Sequence, residues 1–258
     1  MIVCRSRAPV ALVWPIRWRR LRRPRIRPAL RAAEAVEAPF GSSAIGALDS
    51  RDIAAGSQTV AEIVLFHSAL GLRPGVVSAA DRLRAAGHTV HTPDLFEGDA
   101  PLDAYAPAMA RIRAIGIPTL AARARAAVEP LPRSLVYAGF SIGASFAAML
   151  AATRPGARAA LLLHGAPDPA ELGLAAWPAA TPVQIHFMLD DRWRSNSAIT
   201  KLASLVRQSG AECTVFDYPG SAHLFADPGL PAEFDPQAAE LMWARVLEIL
   251  SGLDRSEG

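Results

Sequence analysis

Lysine is almost missing from this chain: Lys201 is the only one among 258 residues, beside 26 arginines. This bias indicates a GC-rich coding sequence rather than a function. Cysteine is nearly as rare, and Cys4 and Cys213 are too far apart in sequence to indicate a disulfide scaffold. Apolar stretches long enough to span a bilayer are also lacking, which argues against an integral membrane protein. The hydrophobic content of 51% is ample for the core of one domain.

Acidic side chains are absent from the first 33 residues, which contain ten arginines. The net charge of +3 therefore hides a split, because the other 17 basic and 24 acidic side chains give residues 34–258 a charge of −7. Basic arms of this kind bind nucleic acid or anionic membranes through phosphates. The rest of the chain is acidic, so we expect no nucleic-acid binding by the folded domain.

Three interpretations of residues 1–59 stay open. They could form a phosphate-binding arm, or a targeting segment, although no apolar run follows the arginines and a secretory signal is not expected. They could also be a disordered leader, or a stretch added because the gene start was assigned too far upstream, with Val60 as the first native residue. The first predicted strand follows Val60 directly. Our hypothesis is the third interpretation. It leaves residues 60–258 as the folded domain, and we expect a cytoplasmic location.

Strand and helix patterns alternate along residues 60–258, which is typical of a parallel sheet with helices on both faces. The predicted strands are 62–67, 88–92, 134–138, 159–164, 182–189 and 213–218. The predicted helices are 75–86, 103–115, 118–128, 144–153, 196–209 and 235–249. The sequence therefore predicts one α/β domain with a mostly parallel sheet. Residues 103–128 lie where a lid could cover a site, although the usual helix between consecutive strands, broken in two, is the plainer interpretation.

A Gly-Phe-Ser-Ile-Gly motif at 139–143 stands between a predicted strand and a predicted helix. This is the Gly-x-Ser-x-Gly signature in the context that it requires, a strand, a sharp turn and a helix. Gly139 and Gly143 leave room for a turn that is too tight for side chains, and the turn holds Ser141 in a strained backbone conformation. The N–H groups of the following helix point at whatever the serine attacks. The motif predicts that Ser141 is a nucleophile rather than an ordinary turn serine.

A serine nucleophile needs a base and an acid that orients the base, and in α/β-hydrolases they follow in the order acid, histidine. Asp190 and Asp191 stand at the end of the predicted strand 182–189, and His223 lies in the loop after the next strand. Both places fall at the carboxyl edge of a parallel sheet, where such folds bind ligands. We predict Asp191 as the acid, with Asp190 left open, and His223 as the base.

Non-catalytic interpretations exist for the two aspartates and for the other histidines. Asp190 or Asp191 could cap the helix that begins near residue 196, since aspartate is a common cap. His67 and His164 end predicted strands and are interpreted as packed or lining residues. No chemistry is assigned to three further histidines in or beside strands, His88, His91 and His186.

Four segments together resemble the dienelactone hydrolase family: 65–72 (Leu-Phe-His-Ser-Ala-Leu-Gly-Leu), 92–98 (Thr-Pro-Asp-Leu-Phe-Glu-Gly), 139–143 and 218–225 (Tyr-Pro-Gly-Ser-Ala-His-Leu-Phe). The resemblance runs over residues 60–249. It implies an α/β-hydrolase fold with Ser141 as nucleophile, Asp191 as acid and His223 as base. It also implies an oxyanion hole formed by the backbone N–H groups of Ala69 and Ile142.

Three positions depart from the pattern of the best-known family members. Those members have cysteine in place of Ser141 and a cysteine-activating glutamate in place of Ser68. They also have a carboxylate-binding arginine in place of Asp227. We therefore predict a serine hydrolase that resembles dienelactone hydrolases and cleaves a small ester or lactone, and we do not predict the named dienelactone activity.

The site as predicted includes His67, Ser68 and Trp177 as candidate pocket residues. Neither the resemblance nor the scattered cysteines and histidines imply a metal or a cofactor. We expect a small-molecule substrate, no membrane partner and a monomer or homodimer. The alternative class is a non-catalytic domain of the same fold that binds a ligand or a protein partner.

Overall fold

The computed structural model describes residues 60–253, so the predicted leader 1–59 lies outside the described part of the chain. The strands are β1 (Glu62–Phe66), β2 (Thr89–His91), β3 (Leu135–Phe140), β4 (Ala157–Leu163), β5 (Val183–Met188) and β6 (Cys213–Tyr218). The helices are α1 (Pro74–Ala85), α2 (Tyr105–Ile115), α3 (Ile117–Val128), α4 (Ile142–Thr153), α5 (Asn196–Gln208) and α6 (Pro236–Gly252).

The six described strands form one sheet in the order β2-β1-β3-β4-β5-β6, and every neighbouring pair is parallel. Parallel neighbours need a crossover connection, and α-helices supply it except between β4 and β5, which are joined by the loop of residues 164–182. The prediction of a single α/β domain is confirmed. The carboxyl ends of β3, β5 and β6 therefore meet at one edge, which also carries the turn of Ser141 and the loops of Asp191 and His223.

The centre of the domain is built from β3 and the helix that follows it. All six residues of β3 are buried, as expected of a central parallel strand covered on both faces. Eight of the twelve residues of α4 are buried as well, and half of these are alanines that let the helix lie close to the sheet. Well-buried elements thus lie on either side of Ser141 and support the turn between β3 and α4.

The predicted boundaries differ from the observed ones by at most three residues. β4 begins two residues before the predicted start, α6 ends at Gly252 rather than 249, and β2 is a three-residue strand within the predicted 88–92. Cys213 is buried at the start of β6, as predicted for a small apolar side chain. Within residues 60–253, no helix combines the length and the apolar character that crossing a membrane requires.

Candidate active site

Ser141 stands alone between β3 and α4 in a strained turn. Its φ is 55° and its ψ is −114°, a conformation that residues with a side chain rarely adopt. A Cβ atom on Gly139 would lie 2.3 Å from the carbonyl carbon and oxygen of Gly143. A Cβ atom on Gly143 would lie 2.6 Å from the carbonyl oxygens of Phe66 and His67. Both glycines are therefore required by close backbone approach, and the predicted strand, sharp turn and helix are confirmed.

A chain of two hydrogen bonds connects Ser141, His223 and Asp191. The Oγ atom of Ser141 lies 2.8 Å from Nε2 of His223, and Nδ1 of His223 lies 2.7 Å from Oδ2 of Asp191. His223 and Asp191 are each 5% exposed, whereas Ser141 is half-buried and accessible. Because a carboxylate only accepts hydrogen bonds, Nδ1 carries the proton and Nε2 is free to accept from the serine hydroxyl.

The two neighbouring aspartates have different surroundings. The other oxygen of Asp191, Oδ1, accepts the backbone N–H of Trp193 at 2.8 Å, so both carboxylate oxygens have fixed partners. Asp190 is exposed, and its backbone N–H donates to the carbonyl of Gly220. Only Asp191 of this pair reaches His223. The two β5 and β6 loops are thus held together by backbone as well as by side chains.

The backbone N–H groups of Ala69 and Ile142 flank the serine turn. Ile142 is the first residue of α4, where a helix leaves its N–H groups without internal partners. Ala69 lies in the turn directly after β1, and β1 and β3 are neighbours in the sheet. Within residues 60–253, neither N–H donates a hydrogen bond to another protein group. Both N–H groups therefore lack a protein partner in this part of the chain, and the oxyanion hole of Ala69 and Ile142 stays a prediction.

His67 and Ser68, two of the predicted pocket residues, support the shape of the turn after β1. His67 is 1% exposed; its Nδ1 donates to the carbonyl of Ser68 at 2.8 Å, and its Nε2 accepts the N–H of Leu95 at 3.0 Å. Burial lowers the pKa of His67, so the ring is neutral and keeps this tautomer. The hydroxyl of Ser68 accepts the N–H of Leu70 at 3.2 Å. These contacts fix the turn that carries Ala69.

Trp177 is not brought to this site. Its indole N–H donates to the carbonyl of Thr181 at 2.7 Å, and the Thr181 hydroxyl donates to the carbonyl of Ala157 at 2.9 Å. Ala157 begins β4, at the edge of the sheet opposite to Ser141. This buried side chain anchors the end of the 165–181 loop to the opposite edge of the sheet.

Two aromatic side chains that the sequence did not single out flank His223. The ring centroids of Tyr105 and Trp193 lie 5.8 and 5.9 Å from the imidazole, and 5.9 Å from each other. The guanidinium of Arg192 lies over both rings, 5.1 Å from the Tyr105 centroid and 5.2 Å from that of Trp193. Such contacts restrict the imidazole and exclude water from one side of it. Trp193 follows Asp191 closely, but Tyr105 comes from a distant segment without any local motif.

A buried ion pair joins the loop after β1 to the loop of His223. Arg73 is 4% exposed; its Nε donates to Oδ2 of Asp227 at 3.1 Å and its Nη2 donates to the carbonyl of Gly229 at 2.8 Å. Its Nη1 donates to the carbonyl of Leu102 at 2.9 Å and also contacts Asp103. Asp227, the position of the family arginine, is thus paired with an arginine from elsewhere in the chain.

Two further histidines are packed in the interior, His164, as expected, and His186, to which no chemistry was assigned. The His164 ring stacks on Phe140 and meets Phe225 edge-on, and burial lowers its pKa far below the ordinary value. His186 hydrogen-bonds Tyr218 and Gln184, and burial lowers its pKa to about 3. Among residues 60–253, no group of three or more histidine, cysteine or acidic side chains has the arrangement to hold a metal ion.

The model of the dienelactone hydrolase family matches residues 52–253. The chain therefore belongs to the dienelactone hydrolase family, a family of hydrolytic enzymes. Among curated proteins, none is significantly similar to the chain.

Solved structures with the same fold include a dienelactone hydrolase-like promiscuous phosphotriesterase from metagenomic libraries. It is 21% identical with a TM-score of 0.62, over 76% of this chain and 88% of that one. A protein from Klebsiella pneumoniae assigned to the dienelactone hydrolases is 18% identical with a TM-score of 0.61, over 76% and 88% of the two chains. An α/β hydrolase from a deep-sea metagenome is 12% identical with a TM-score of 0.55, over 76% and 85%. At these identities, the likeness shows the shared fold.

Proposed function

We propose that this chain is a serine hydrolase that cleaves a small ester or lactone through an acyl-enzyme on Ser141. The observation that carries the proposal is the continuous hydrogen-bond chain from Ser141 Oγ through His223 to the buried Asp191. A nucleophile, a base within hydrogen-bond reach and a third group that orients the base form the minimal machinery of acyl transfer.

In the first step, Ser141 Oγ attacks the carbonyl carbon of the ester, and its proton passes to Nε2 of His223. The imidazolium that forms is stabilised by the carboxylate of Asp191, 2.7 Å from Nδ1. The carbonyl oxygen becomes an oxyanion and accepts hydrogen bonds from the N–H groups of Ala69 and Ile142. The N-terminal end of α4 adds favourable electrostatics at the same point.

Collapse of the tetrahedral intermediate breaks the bond to the alcohol oxygen, which receives from His223 the proton that came from Ser141. In a lactone this alcohol stays attached to the acyl group. His223 then removes a proton from water, and the hydroxide attacks the acyl carbon. The carboxylic acid leaves and Ser141 regains its proton, so that the enzyme is restored without a cofactor.

The direct test is active-site labelling of the full chain with a fluorophosphonate, read by intact mass. We expect one adduct on the parent, none on Ser141→Ala and one on Ser145→Ala, a serine one turn further along α4. Hydrolysis of p-nitrophenyl acetate should disappear in the Ser141→Ala variant while its circular dichroism stays that of the parent.

No adduct on the folded parent would refute the proposal and favour a non-catalytic binding protein of this fold. An adduct that persists in Ser141→Ala would show that another residue is the nucleophile. An ester and lactone panel would then define the acyl group that the labelled enzyme accepts.

A further inference from the structure

The loop that carries His223 is long and has little regular structure to hold it. It occupies residues 219–235, between the end of β6 and the start of α6. The imidazole has fixed partners on both nitrogens, but these hold the side chain and not the backbone. General-base catalysis depends on distances within hydrogen-bond reach, so the backbone of this loop also needs an anchor.

Glu233 supplies that anchor. Its Oε2 accepts the backbone N–H of His223 at 3.1 Å and the backbone N–H of Leu224 at 2.7 Å. Two consecutive backbone groups thus converge on one carboxylate oxygen from ten residues further along the chain. Hydrogen bonds to a charged acceptor are stronger and more directional than those between neutral groups.

A third donor reaches the same oxygen from a distant part of the sequence. The hydroxyl of Tyr105, the first residue of α2, donates to Oε2 of Glu233 at 2.9 Å, while its ring lies against the imidazole of His223. Burial, and then the hydrogen bond to Glu233, raise the pKa of Tyr105 far above its ordinary value, so the phenol remains a donor. Glu233 is therefore bound by the first residue of α2 as well as by the loop of His223.

A second connection ties the same two segments together. Arg73 binds the carbonyl of Leu102, three residues before Tyr105, and the carbonyl of Gly229, four residues before Glu233. The segment before α2 and the loop of His223 are consequently fixed to each other at two points. The carboxylate of Glu233 is the point that touches the backbone of His223 itself.

From this geometry we propose that Glu233 is a positioning residue for the reaction: it holds the backbone of His223 so that the imidazole spans the distance between Asp191 and Ser141. The proposal rests on the proposed function of the Ser141 site. It differs from a purely structural role, in which Glu233 would stabilise the loop without any effect on turnover by folded molecules.

The experiment compares Glu233→Ala and Glu233→Gln with Glu240→Gln in the full chain. Glu240 is an exposed glutamate on α6 that pairs with Arg82, so it serves as the charge-matched control. The readouts are kcat and KM for p-nitrophenyl acetate per folded molecule, and the downfield ¹H NMR signal of the His223 Nδ1–H.

Removal of the carboxylate should lower kcat by about tenfold or more with KM within about twofold, because misplacement by about 1 Å can cost 10²-fold. The Nδ1–H signal should shift or broaden as well. Glutamine keeps an oxygen that accepts the two backbone N–H groups, so Glu233→Gln should recover most of the kcat. Glu240→Gln should behave like the parent.

Parental kcat in Glu233→Ala would overturn the proposal, as would a loss fully explained by a smaller folded fraction. Equal losses in the alanine and glutamine variants would also overturn it, because the carboxylate charge and not its hydrogen bonds would then matter. Fluorophosphonate labelling of the parent separates the two proposals. If the parent is labelled and Glu233→Ala keeps the parental kcat, only the positioning role of Glu233 is refuted. If the parent is not labelled, the serine hydrolase proposal and the positioning role are both refuted.

Discussion

Replacing Asp191 by asparagine tests the orientation of His223 with a change of one atom. Asp191 Oδ1 accepts the N–H of Trp193 at 2.8 Å, and Oδ2 faces Nδ1 of His223 at 2.7 Å. The amide oxygen of an asparagine should keep the hydrogen bond from the Trp193 N–H, since the asparagine NH₂ group would otherwise face this donor. Its NH₂ group then points at Nδ1, which must become the acceptor. The imidazole proton moves to Nε2. This nitrogen then donates towards Ser141 and can no longer accept the proton of the serine hydroxyl.

The size of the effect follows from the lost base. General-base catalysis contributes about 10²- to 10⁴-fold, so Asp191→Asn should raise the barrier by about 3–5 kcal/mol at roughly 1.4 kcal/mol per tenfold. The assay is kcat/KM for p-nitrophenyl acetate together with the rate of fluorophosphonate labelling, and both should fall in parallel. The exposed neighbour provides the control, because Asp190→Asn makes the same chemical change without a contact to His223.

A parental kcat/KM in Asp191→Asn would refute this reasoning. So would an equal loss in Asp190→Asn, since that result would point to the summed negative charge of the loop rather than to the hydrogen bond. Circular dichroism of both variants must match the parent for the comparison to count.

Two further predictions concern stability. Asp227→Asn leaves the buried Arg73 without its buried counter-charge and should lower the free energy of unfolding, measured with urea, by about 3 kcal/mol. This value is near the lower end for a broken buried ion pair because Asp103 still contacts the guanidinium. An unchanged urea midpoint would show that the pair contributes nothing. Burial lowers the pKa of His186 to about 3 from an ordinary 6.5, so the unfolded chain binds more protons between these values and stability falls as the pH falls. From His186 alone we expect a loss of roughly 2 kcal/mol between pH 7 and pH 5, at about 1.4 kcal/mol per unit below the ordinary pKa. The His186→Gln variant should flatten that slope, and an equal slope in parent and variant would contradict the assignment.

The turn of Ser141 could be predicted from sequence because its constraints are local. Gly139 and Gly143 are each two residues from Ser141, and the close approach that excludes a Cβ atom at Gly139 arises within the turn itself. The strands could be predicted for a similar reason, since buried parallel strands are short continuous apolar runs. The ends of elements were less certain, because the final turn of a helix such as α6 depends on what packs against it.

The surroundings of His223 could not be predicted because their contacts join the loop of His223 to segments that are distant in the sequence. Tyr105 and Glu233 are 128 residues apart, and Arg73 and Asp227 are 154 residues apart. None of these four side chains stands in a motif. Trp177 lies in the loop after β4, and its hydrogen bond to Thr181 at the opposite edge of the sheet is likewise not specified by a local pattern.

Local sequence patterns specify the elements and the serine turn, because propensity, apolar periodicity and glycine sterics act over a few residues. The sequence also placed an acid and a histidine after neighbouring strands, which parallel topology brings to one edge. Only the tertiary structure decided between Asp190 and Asp191 as the partner of His223. It also decided that Glu233 binds the backbone of His223. The direction of a side chain at the end of a strand and the partner of a buried charge depend on how distant segments pack, and no local pattern specifies that packing.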